Sequence, residues 1–366
     1  MQSMLKGNRW SLVLIIGLFL IGSLFVGSSS NALAQSVTTP IELKFGSVFP
    51  PPPQIATIGC DRWQKEVEKR TQGKVKFNNF YMGALFSPRE SLNAVQNRFA
   101  DIVQYCYVYV PGKTPLGNFT VAIPFRPVDP LTNIKIVRTM WDEFPAFDQE
   151  MANYNGKVIF LQAIMTYDVL STMPITTLAD FKGKRLGVIS LWFPDYAAAS
   201  GATPVPSAML GRYQMIERGV LDGEIITLDL ADSFKHYEVI KHFTSVGLGS
   251  IVVIAITANM DAWKSLPPDI QKIMLDVGRE TEIWHSQHLN RQREEIMNKW
   301  EKDYGIKFHT LPEEQVIEWA NKMPDTAAKF AEEMEAKGWP GRKIMDRYIE
   351  LSKQHGHKWP RKFGVR

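Results

Sequence analysis

Two histidines, His285 and His288, are the first candidates for chemistry in this sequence of 366 residues. They stand three residues apart in a segment with helical spacing, and imidazoles on one helix face can share a zinc ion. With Glu280 and Glu282 nearby, one hypothesis is an exported metal-assisted hydrolase. A solvated polar helix face explains the same pattern more simply, and we favour it.

Known catalytic motifs are missing from the sequence. There is no G-x-S-x-G, no G-x-x-x-x-G-K-[ST], no H-E-x-x-H and no C-x-x-C. We therefore expect a protein that is not an enzyme and that uses no catalytic residue, metal or cofactor.

Aromatic side chains are dense where strands are expected to end. Tyr105, Tyr107 and Tyr109 alternate, which predicts that they point to one face of a strand. Tyr167 follows a strand that should end at Ile164, and a further group follows the strand predicted to end at residue 189: Trp192, Phe193 and Tyr196. Core packing explains any one of them equally well. As a set they favour a cleft for a small ligand, because aromatic rings combine apolar area with polar groups.

Alternating strands and helices must position these residues. The first such series predicts a parallel sheet, with strands at 41–48, 74–81 and 101–110 and helices at 55–70 and 88–97. A second series predicts strands at 157–164, 186–189, 201–206 and 223–230, and a helix at 195–200. Two α/β units suggest two lobes with a cleft between them, off the carboxyl ends of the strands.

The C-terminal part is predicted to be helical. From Pro268 to about Trp300 the apolar spacing predicts one helix of roughly 50 Å that runs across both lobes. Shorter helices are predicted at 313–322, 326–337 and 342–353. We place lobe I at residues 35–164 plus 252–291 and lobe II at residues 165–251 plus 292–366.

Composition and the N-terminus indicate an exported soluble protein. A content of 45% hydrophobic and 22% charged residues excludes a disordered chain, and the net charge of +4 is too small to suggest a nucleic-acid binder. Residues 1–34 combine Lys6 and Arg9, an uncharged apolar run and an A-x-A site, which predicts a signal peptide cleaved after Ala34 and a periplasmic protein. Export would place Cys60 and Cys106 in an oxidising compartment, where we favour two buried thiols over a disulfide.

Several segments resemble the solute-binding proteins of TRAP transporters. The clearest are LADFKGKRLG at 178–187, GATPVP at 201–206, GVLDGE at 219–224, and VEKRTQGKV at 67–75. The resemblance extends over nearly the whole mature chain in the same order. It implies a two-lobed periplasmic binding protein fold, with a long helix across both lobes, that closes on a small solute, commonly an organic acid. It also implies delivery to membrane permease subunits, by a monomer or a homodimer.

The family contacts to a ligand carboxylate are missing here. A family arginine that grips the carboxylate aligns with Gly187, a second arginine aligns near Tyr167, and a pocket asparagine aligns near Ile226. Arg185 lies two residues before Gly187, on the same strand face. Other arginines could replace them, although each is expected at the surface: Arg89, Arg126 and Arg212.

Three interpretations of the solute remain open. It could be an organic acid held by another group, a neutral or bulky molecule in an aromatic pocket, or a cation received by Asp229 and Asp232. Helix capping and solvation explain these two carboxylates more simply. We favour an organic acid or related polar solute in an aromatic pocket, handed to a permease or presented to a membrane sensor kinase. The candidate ligand-binding residues are Tyr105, Tyr107, Tyr167, Arg185, Trp192, Phe193, Tyr196, Met209, Tyr213, Ile226 and Asp229.

Overall fold

A computed structural model describes residues 39–364 as two β-sheets surrounded by helices. The predicted signal peptide lies outside the described residues. The strands are β1 Ile41–Gly46, β2 Val75–Phe80, β3 Ile102–Cys106, β4 Gly156–Ala163, β5 Tyr167–Ser171, β6 Arg185–Val188, β7 Thr203–Pro206, β8 Gly223–Thr227, β9 His242–Ser245, β10 Val252–Asn259 and β11 Lys307–Thr310. The helices are α1 Ile55–Arg70, α2 Ser91–Gln96, α3 Pro130–Glu143, α4 Ala146–Ala152, α5 Phe193–Ala199, α6 Met209–Glu217, α7 Leu228–Ser233, α8 Met260–Lys264, α9 Pro268–Tyr304, α10 Glu313–Lys322, α11 Thr326–Ala336 and α12 Gly341–Gln354.

The first sheet has the strand order β2-β1-β3-β10-β4. β1 is parallel to β2 and β3, whereas β10 lies antiparallel between β3 and β4. The prediction of a parallel sheet is therefore confirmed for β1, β2 and β3, whereas the antiparallel strand β10 was not predicted. The physical reason is that β10 brings the chain back from the second sheet, so it enters the first one in the opposite direction.

The third predicted strand is shorter than expected. It ends at Cys106, opposite Ile254 of β10, and the chain continues into a 3-10 turn at Tyr107–Tyr109. The prediction that Tyr105, Tyr107 and Tyr109 alternate on one strand face is therefore wrong. The Tyr107 ring instead packs against Gly117, where an added Cβ would lie 2.1 Å from it.

The second sheet has the strand order β11-β9-β5-β8-β6-β7. β6 is parallel to β7 and β8, while β5 is antiparallel to β8 and β9. Tyr167 opens β5 rather than following a strand, and the strand predicted for 223–230 ends at Thr227, where α7 begins. Each sheet thus contains one reversed strand, next to the place where the chain changes sheets.

The chain passes between the sheets through two short stretches, residues 164–166 and 246–251, which we call the crossover segments. They lie side by side: the Ile164 amide donates to the Ile251 carbonyl at 3.0 Å, and Ser250 Oγ donates to the Ile164 carbonyl at 2.6 Å. Their pairing makes a two-stranded connection between the two lobes.

Helix α9 is the third connection between the sheets. Its 37 residues give a length of about 55 Å at 1.5 Å per residue. Near its start the Met274 carbonyl accepts from Trp63 Nε1 at 3.0 Å, and near its end Trp300 Nε1 donates to Asp232 at 2.8 Å. The helix stops at Gly305, whose φ of 65° is the left-handed conformation that ends helices. The predicted long helix that spans both lobes is thus present.

The last three helices match the predicted ones closely. α12 packs against α3, where Tyr348 Oη donates to Asn133 at 2.7 Å.

Within residues 39–364, none of the helices combines the length and hydropathy that membrane spanning requires. Cys60 and Cys106 are buried and unpaired, which confirms the favoured interpretation of the thiols.

His285 is buried, so the favoured solvated helix face is wrong at this residue and at Glu282. The ring lies between α9 and α1, where Nε2 is 3.1 Å from the Ile55 carbonyl. Glu282 accepts from the Leu161 amide at 2.8 Å and pairs with Arg138. The helical spacing predicted the shared face but not that α1 and β4 would cover it.

Because His285 is buried, we expect the free energy of unfolding to decrease as the pH is lowered. Loss of hydration lowers the pKa of His285 to about 4, below its usual 6.5. The folded state therefore binds fewer protons than the unfolded state between these values, so stability is present above pH 6.5 and is lost as the pH falls toward 4. We expect about 3 kcal/mol of this loss to disappear in His285→Gln, measured by urea unfolding at pH 7 and pH 4. His288→Gln should change the difference in unfolding free energy between pH 7 and pH 4 less, because His288 is only partly buried. An equal difference in wild type and His285→Gln would contradict the assignment to His285.

Candidate functional site

The segment that follows β1 of the first sheet contacts the helix that follows β8 of the second sheet. Gln54, just before α1, uses Oε1 to accept from the Ala56 amide at 2.7 Å and Nε2 to donate to Ser233 Oγ at 2.9 Å. Ser233 ends α7, which directly follows β8. Carboxyl ends of parallel strands are the usual ligand-binding edge of open α/β sheets. A direct hydrogen bond therefore joins the two lobes at this edge.

Arg212 of α6 occupies the space beside Gly187 in β6. A Cβ added to Gly187 would lie 3.2 Å from Arg212 Cδ and 2.9 Å from Leu221 Cδ1. Glycine inside a strand often marks such a close approach. The absence of a side chain at residue 187 thus leaves room for a guanidinium group from a neighbouring helix.

The Arg212 guanidinium is fully buried, so its expected surface position is wrong. Nε donates to Ser207 Oγ at 3.2 Å, Nη2 donates to the Ser207 carbonyl at 2.8 Å, and Nη1 lies 3.4 Å from Glu224 Oε2. Glu224 is paired with Gly187 across β6 and β8 and also contacts His236 Nδ1. Burial is tolerated because the carboxylate faces the guanidinium. Three of the five guanidinium N–H groups have these partners.

Tyr167 opens β5 and is buried. Burial raises the pKa of its hydroxyl; the Cys106 thiol and the Asp229 carboxylate act in the same direction, while Arg126 and Arg212 oppose them. The residues that influence this pKa come from both sheets and from the segments between them.

Three of the predicted aromatic rings are buried and packed against one another. Tyr167 contacts Phe193 with ring centroids 4.5 Å apart, and Phe193 lies 5.5 Å from Tyr196. Tyr196 Oη donates to the Val121 carbonyl at 2.7 Å, which joins the second sheet to the first lobe. Trp192 is half-buried beneath the ammonium group of Lys329, 5.1 Å from its ring. The structure thus brings four of the predicted aromatic residues together.

Other candidates lie elsewhere. Tyr105 and Tyr107 are in the first lobe's core, with Tyr105 Oη 2.6 Å from Thr114 Oγ1. Arg185 is exposed and forms a bidentate ion pair with Asp222. Tyr213 donates to Glu238 at 2.9 Å. Met209 is half-buried at the start of α6, and Ile226 is buried in β8 facing the helices.

Asp229 is buried, so solvation does not explain it. It lies in the first turn of α7; burial raises its pKa, and hydrogen bonds from the Thr227 hydroxyl and from the amides of Asp229 and Leu230 lower it. Asp232 differs, because it accepts from Lys299 at 2.9 Å and Trp300 at 2.8 Å. Solvation is therefore wrong as the explanation for Asp229, and Asp232 is paired with residues of α9.

Arg126 is also fully buried rather than exposed, and it holds one crossover segment. Nε donates to the Ser250 carbonyl at 2.8 Å, Nη2 to the Gly249 carbonyl at 3.2 Å, and Nη1 to the Ile123 carbonyl at 2.7 Å. Gly249 has a φ of 95°, and a Cβ there would lie 2.4 Å from Arg126 Cγ. The Arg126 guanidinium is thus occupied by backbone carbonyl groups, whereas that of Arg212 also faces a carboxylate.

The histidine pair does not form a site. His285 faces the Ile55 carbonyl and His288 stacks on Trp284 at 5.2 Å. Throughout the described part of the chain, no group of three or more His, Cys, Asp and Glu residues is arranged to hold a metal ion.

Comparisons with known proteins point to one family. A family model described as DctP, bacterial extracellular solute-binding protein, family 7, matches residues 45–333. The C4-dicarboxylate-binding protein DctB of Bacillus subtilis (strain 168) is 22% identical over 302 residues, which cover 81% of this chain and 82% of the relative.

Two solved structures have the same fold. A TRAP periplasmic solute-binding protein from Desulfovibrio salexigens is 24% identical with a TM-score of 0.76, covering 87% of this chain and 98% of that one. A marine metagenome TRAP solute-binding protein specific for aromatic acids, in complex with 3-hydroxybenzoate, is 20% identical with a TM-score of 0.76, covering 87% of this chain and 99% of that one. With a family model that matches more than two thirds of its length, the chain belongs to the DctP family of bacterial extracellular solute-binding proteins.

Proposed function

We propose that this protein is the periplasmic receptor of a TRAP-type transporter, which closes on a small organic acid and delivers it to membrane permease subunits. Family membership supports the receptor role. The fold supports closure, because two lobes are joined by two crossover segments and one helix. An A-x-A site after an apolar run supports export with cleavage after Ala34.

The lobe boundaries belong to this proposal. Lobe I at 35–164 plus 252–291 is supported by the five strands of the first sheet, and lobe II at 165–251 plus 292–366 by the six strands of the second. Helix α12 is the part of the proposed lobe II that packs against α3 of lobe I.

The carboxylate of the solute is held by Arg212 in this proposal, and the observation that carries it is the buried guanidinium beside Gly187. Arg126 and Arg212 each have three hydrogen-bond partners and Arg185 is paired with Asp222, so the choice of Arg212 rests on its place beside Gly187. Arginine and carboxylate make short, charge-assisted hydrogen bonds that strengthen where water is excluded. The bodies of Tyr167 and Phe193 would contact the apolar part of the solute.

A melting-temperature panel tests the receptor role. The mature protein is heated with succinate, pyroglutamate, galacturonate, benzoate and 3-hydroxybenzoate, and with benzamide and succinamide as neutral controls. An acid at 100 times its Kd should add about 2.7 kcal/mol, which raises Tm by roughly 4 °C for a protein of this size. The neutral controls should give no shift. Absence of a shift with every acid, combined with absence of a copurified acid in native mass spectrometry, would count against the proposal.

A further inference from the structure

The C-terminal end of the chain has an excess of positive charge. Residues 341–366 contain 8 Lys and Arg residues against 2 Asp and Glu residues. The mature chain without this segment contains 32 Lys and Arg residues against 36 Asp and Glu residues, after Lys6 and Arg9 of the signal peptide are also subtracted from the totals of 42 and 38. A basic segment on an otherwise slightly acidic protein indicates an electrostatic contact with an anionic partner.

The segment that follows α12 is fixed to the body of the protein. His357 Nε2 lies 2.8 Å from the Phe125 carbonyl, and the Gly364 amide donates to Asp325 at 2.7 Å. Arg361 Nη1 donates to two backbone carbonyl groups at the end of α10, at 2.8 and 2.6 Å. The segment therefore presents its charged side chains from a fixed backbone.

Three lysines and two aromatic rings line one surface cavity of about 460 Å³, which we call the basic cavity. They are Lys353, Lys358 and Lys362, with Trp359 and Phe363, whose ring centroids are 5.3 Å apart. All three lysines are exposed. In the part of the chain that the structure describes, none of their ammonium groups forms an ion pair or a hydrogen bond. Three cations that share one cavity without such a partner attract an anion from outside the chain.

The carboxylates beside the basic cavity do not pair with its lysines. Asp346 and Glu350 of α12 line an adjoining cavity. Glu350 is paired with Arg347 at 3.0 Å, while burial raises the pKa of Asp346 and the charge of Arg342 opposes that rise. Among residues 39–364, the lysines of the basic cavity are therefore not neutralised by an ion pair.

Two buried donors of the same lining also lack an acceptor. Trp359 Nε1 and Arg361 Nε have no hydrogen-bond partner among the residues described, and both residues line the basic cavity. A buried donor without an acceptor is unfavourable, and native proteins rarely retain one without a reason. An occupant that supplies oxygen acceptors and negative charge would match these two donors and the three ammonium groups.

We propose that the basic cavity binds the mature protein to the anionic phospholipid headgroups of a membrane surface. Headgroup phosphates supply the charge and the acceptors that the lysines lack, and Trp and Phe rings favour the boundary between headgroups and acyl chains. An acidic peptide fits less well, because the end of α12 and the segment after it offer no strand edge or helical groove for a peptide backbone. The proposal goes beyond the solute-binding role and does not depend on which solute binds.

Cosedimentation with vesicles tests the proposal without a solute. The mature protein is mixed, in low-salt buffer, with vesicles of phosphatidylcholine alone or with about 30% phosphatidylglycerol. Binding to the anionic vesicles should be about 10-fold tighter or more, and it should weaken as salt is added. A triple variant with Lys353→Gln, Lys358→Gln and Lys362→Gln should lose about 100-fold of this affinity, because each lysine near an anionic surface contributes roughly 5-fold.

A second triple variant controls for net charge. Lys74→Gln, Lys113→Gln and Lys182→Gln remove three exposed lysines elsewhere on the protein, and they should weaken binding to the anionic vesicles by less than about 3-fold. Equal losses in the two triple variants, or equal binding of wild type to both kinds of vesicle, would overturn the proposal.

Two soluble anions distinguish a membrane surface from other sources of the same chemistry. Inorganic phosphate at about 10 mM and constant ionic strength should leave the protein on the anionic vesicles. Polyglutamate should bind more weakly than the vesicles do, measured by calorimetry. Displacement by phosphate would assign the basic cavity to a free anion, and tighter binding of polyglutamate that is lost in the first triple variant would assign it to an acidic peptide. Either result overturns the proposal and leaves the receptor role intact.

Discussion

Replacement of Arg126 by Met is expected to lower the free energy of unfolding by about 3 kcal/mol. The substitution leaves the Ile123 carbonyl without a donor, the Gly249 carbonyl with only the Tyr167 amide, and the Ser250 carbonyl with only Asn133. Methionine fills most of the volume but supplies no donor. Urea unfolding of the mature protein at pH 7 measures the loss.

Arg89→Met is the matched control, since Arg89 is exposed in the short turn before α2. It should change stability by less than about 0.5 kcal/mol. Arg126 has no carboxylate partner, so its burial itself is unfavourable. A loss below about 1 kcal/mol in Arg126→Met would mean that this unfavourable burial nearly cancels the three hydrogen bonds. The contacts of Arg126 with the crossover segment would then be unimportant for stability.

Arg212→Lys is expected to weaken binding of an organic acid by about 100-fold, which corresponds to about 2.7 kcal/mol. Lysine keeps the charge opposite Glu224 but lacks the planar fork that binds a carboxylate with two parallel hydrogen bonds. Titration calorimetry uses the acid that gives the largest shift in the melting panel. Arg185→Lys is the control and should leave affinity unchanged, because Arg185 is engaged with Asp222 at the surface.

A double substitution tests whether acid binding needs the guanidinium group itself or needs it at residue 212. Gly187→Arg alone should be strongly destabilising, because its Cβ would meet Leu221 and Arg212. Gly187→Arg with Arg212→Ala removes one of these obstacles and supplies a guanidinium group from β6 instead of α6. Recovery of acid binding to within 10-fold of wild type is the expected result. If Arg212→Lys binds the acid as tightly as wild type does, Arg212 is a structural partner of Glu224 and the carboxylate is held elsewhere.

Local patterns in the sequence predicted most of the secondary structure. α1 occupies residues 55–70 as predicted, because a proline run precedes it and Gln72 and Gly73, both with positive φ, follow it. The apolar spacing of α9 likewise predicted its course, and the helix only extends four residues beyond Trp300. The insertion of β10 between β3 and β4 was not predicted, since strand order depends on pairing between residues far apart in the chain.

The candidate site was predicted less well than the fold. Tyr167 contacts Phe193 and Phe193 contacts Tyr196, but Arg126 and Arg212 were expected at the surface because arginine is rarely buried. Whether an arginine is buried depends on which groups the fold places opposite to it. Arg212 faces Glu224, which is 12 residues away in the sequence, and Arg126 faces the Ser250 carbonyl, which is 124 residues away. A glycine within the short strand β6 was the one local sign that a large neighbouring side chain needed space.

The long helix has a consequence for how the two lobes can move. α9 is packed against α1, α3 and β4 at one end and against α7 at the other, so it acts as a stiff bar fixed at both ends. Any opening of the cleft must preserve its length while the paired crossover segments twist. Such a linkage permits rotation about a single axis and resists sliding or separation of the lobes. A receptor built in this way would return to the same closed geometry at every binding event.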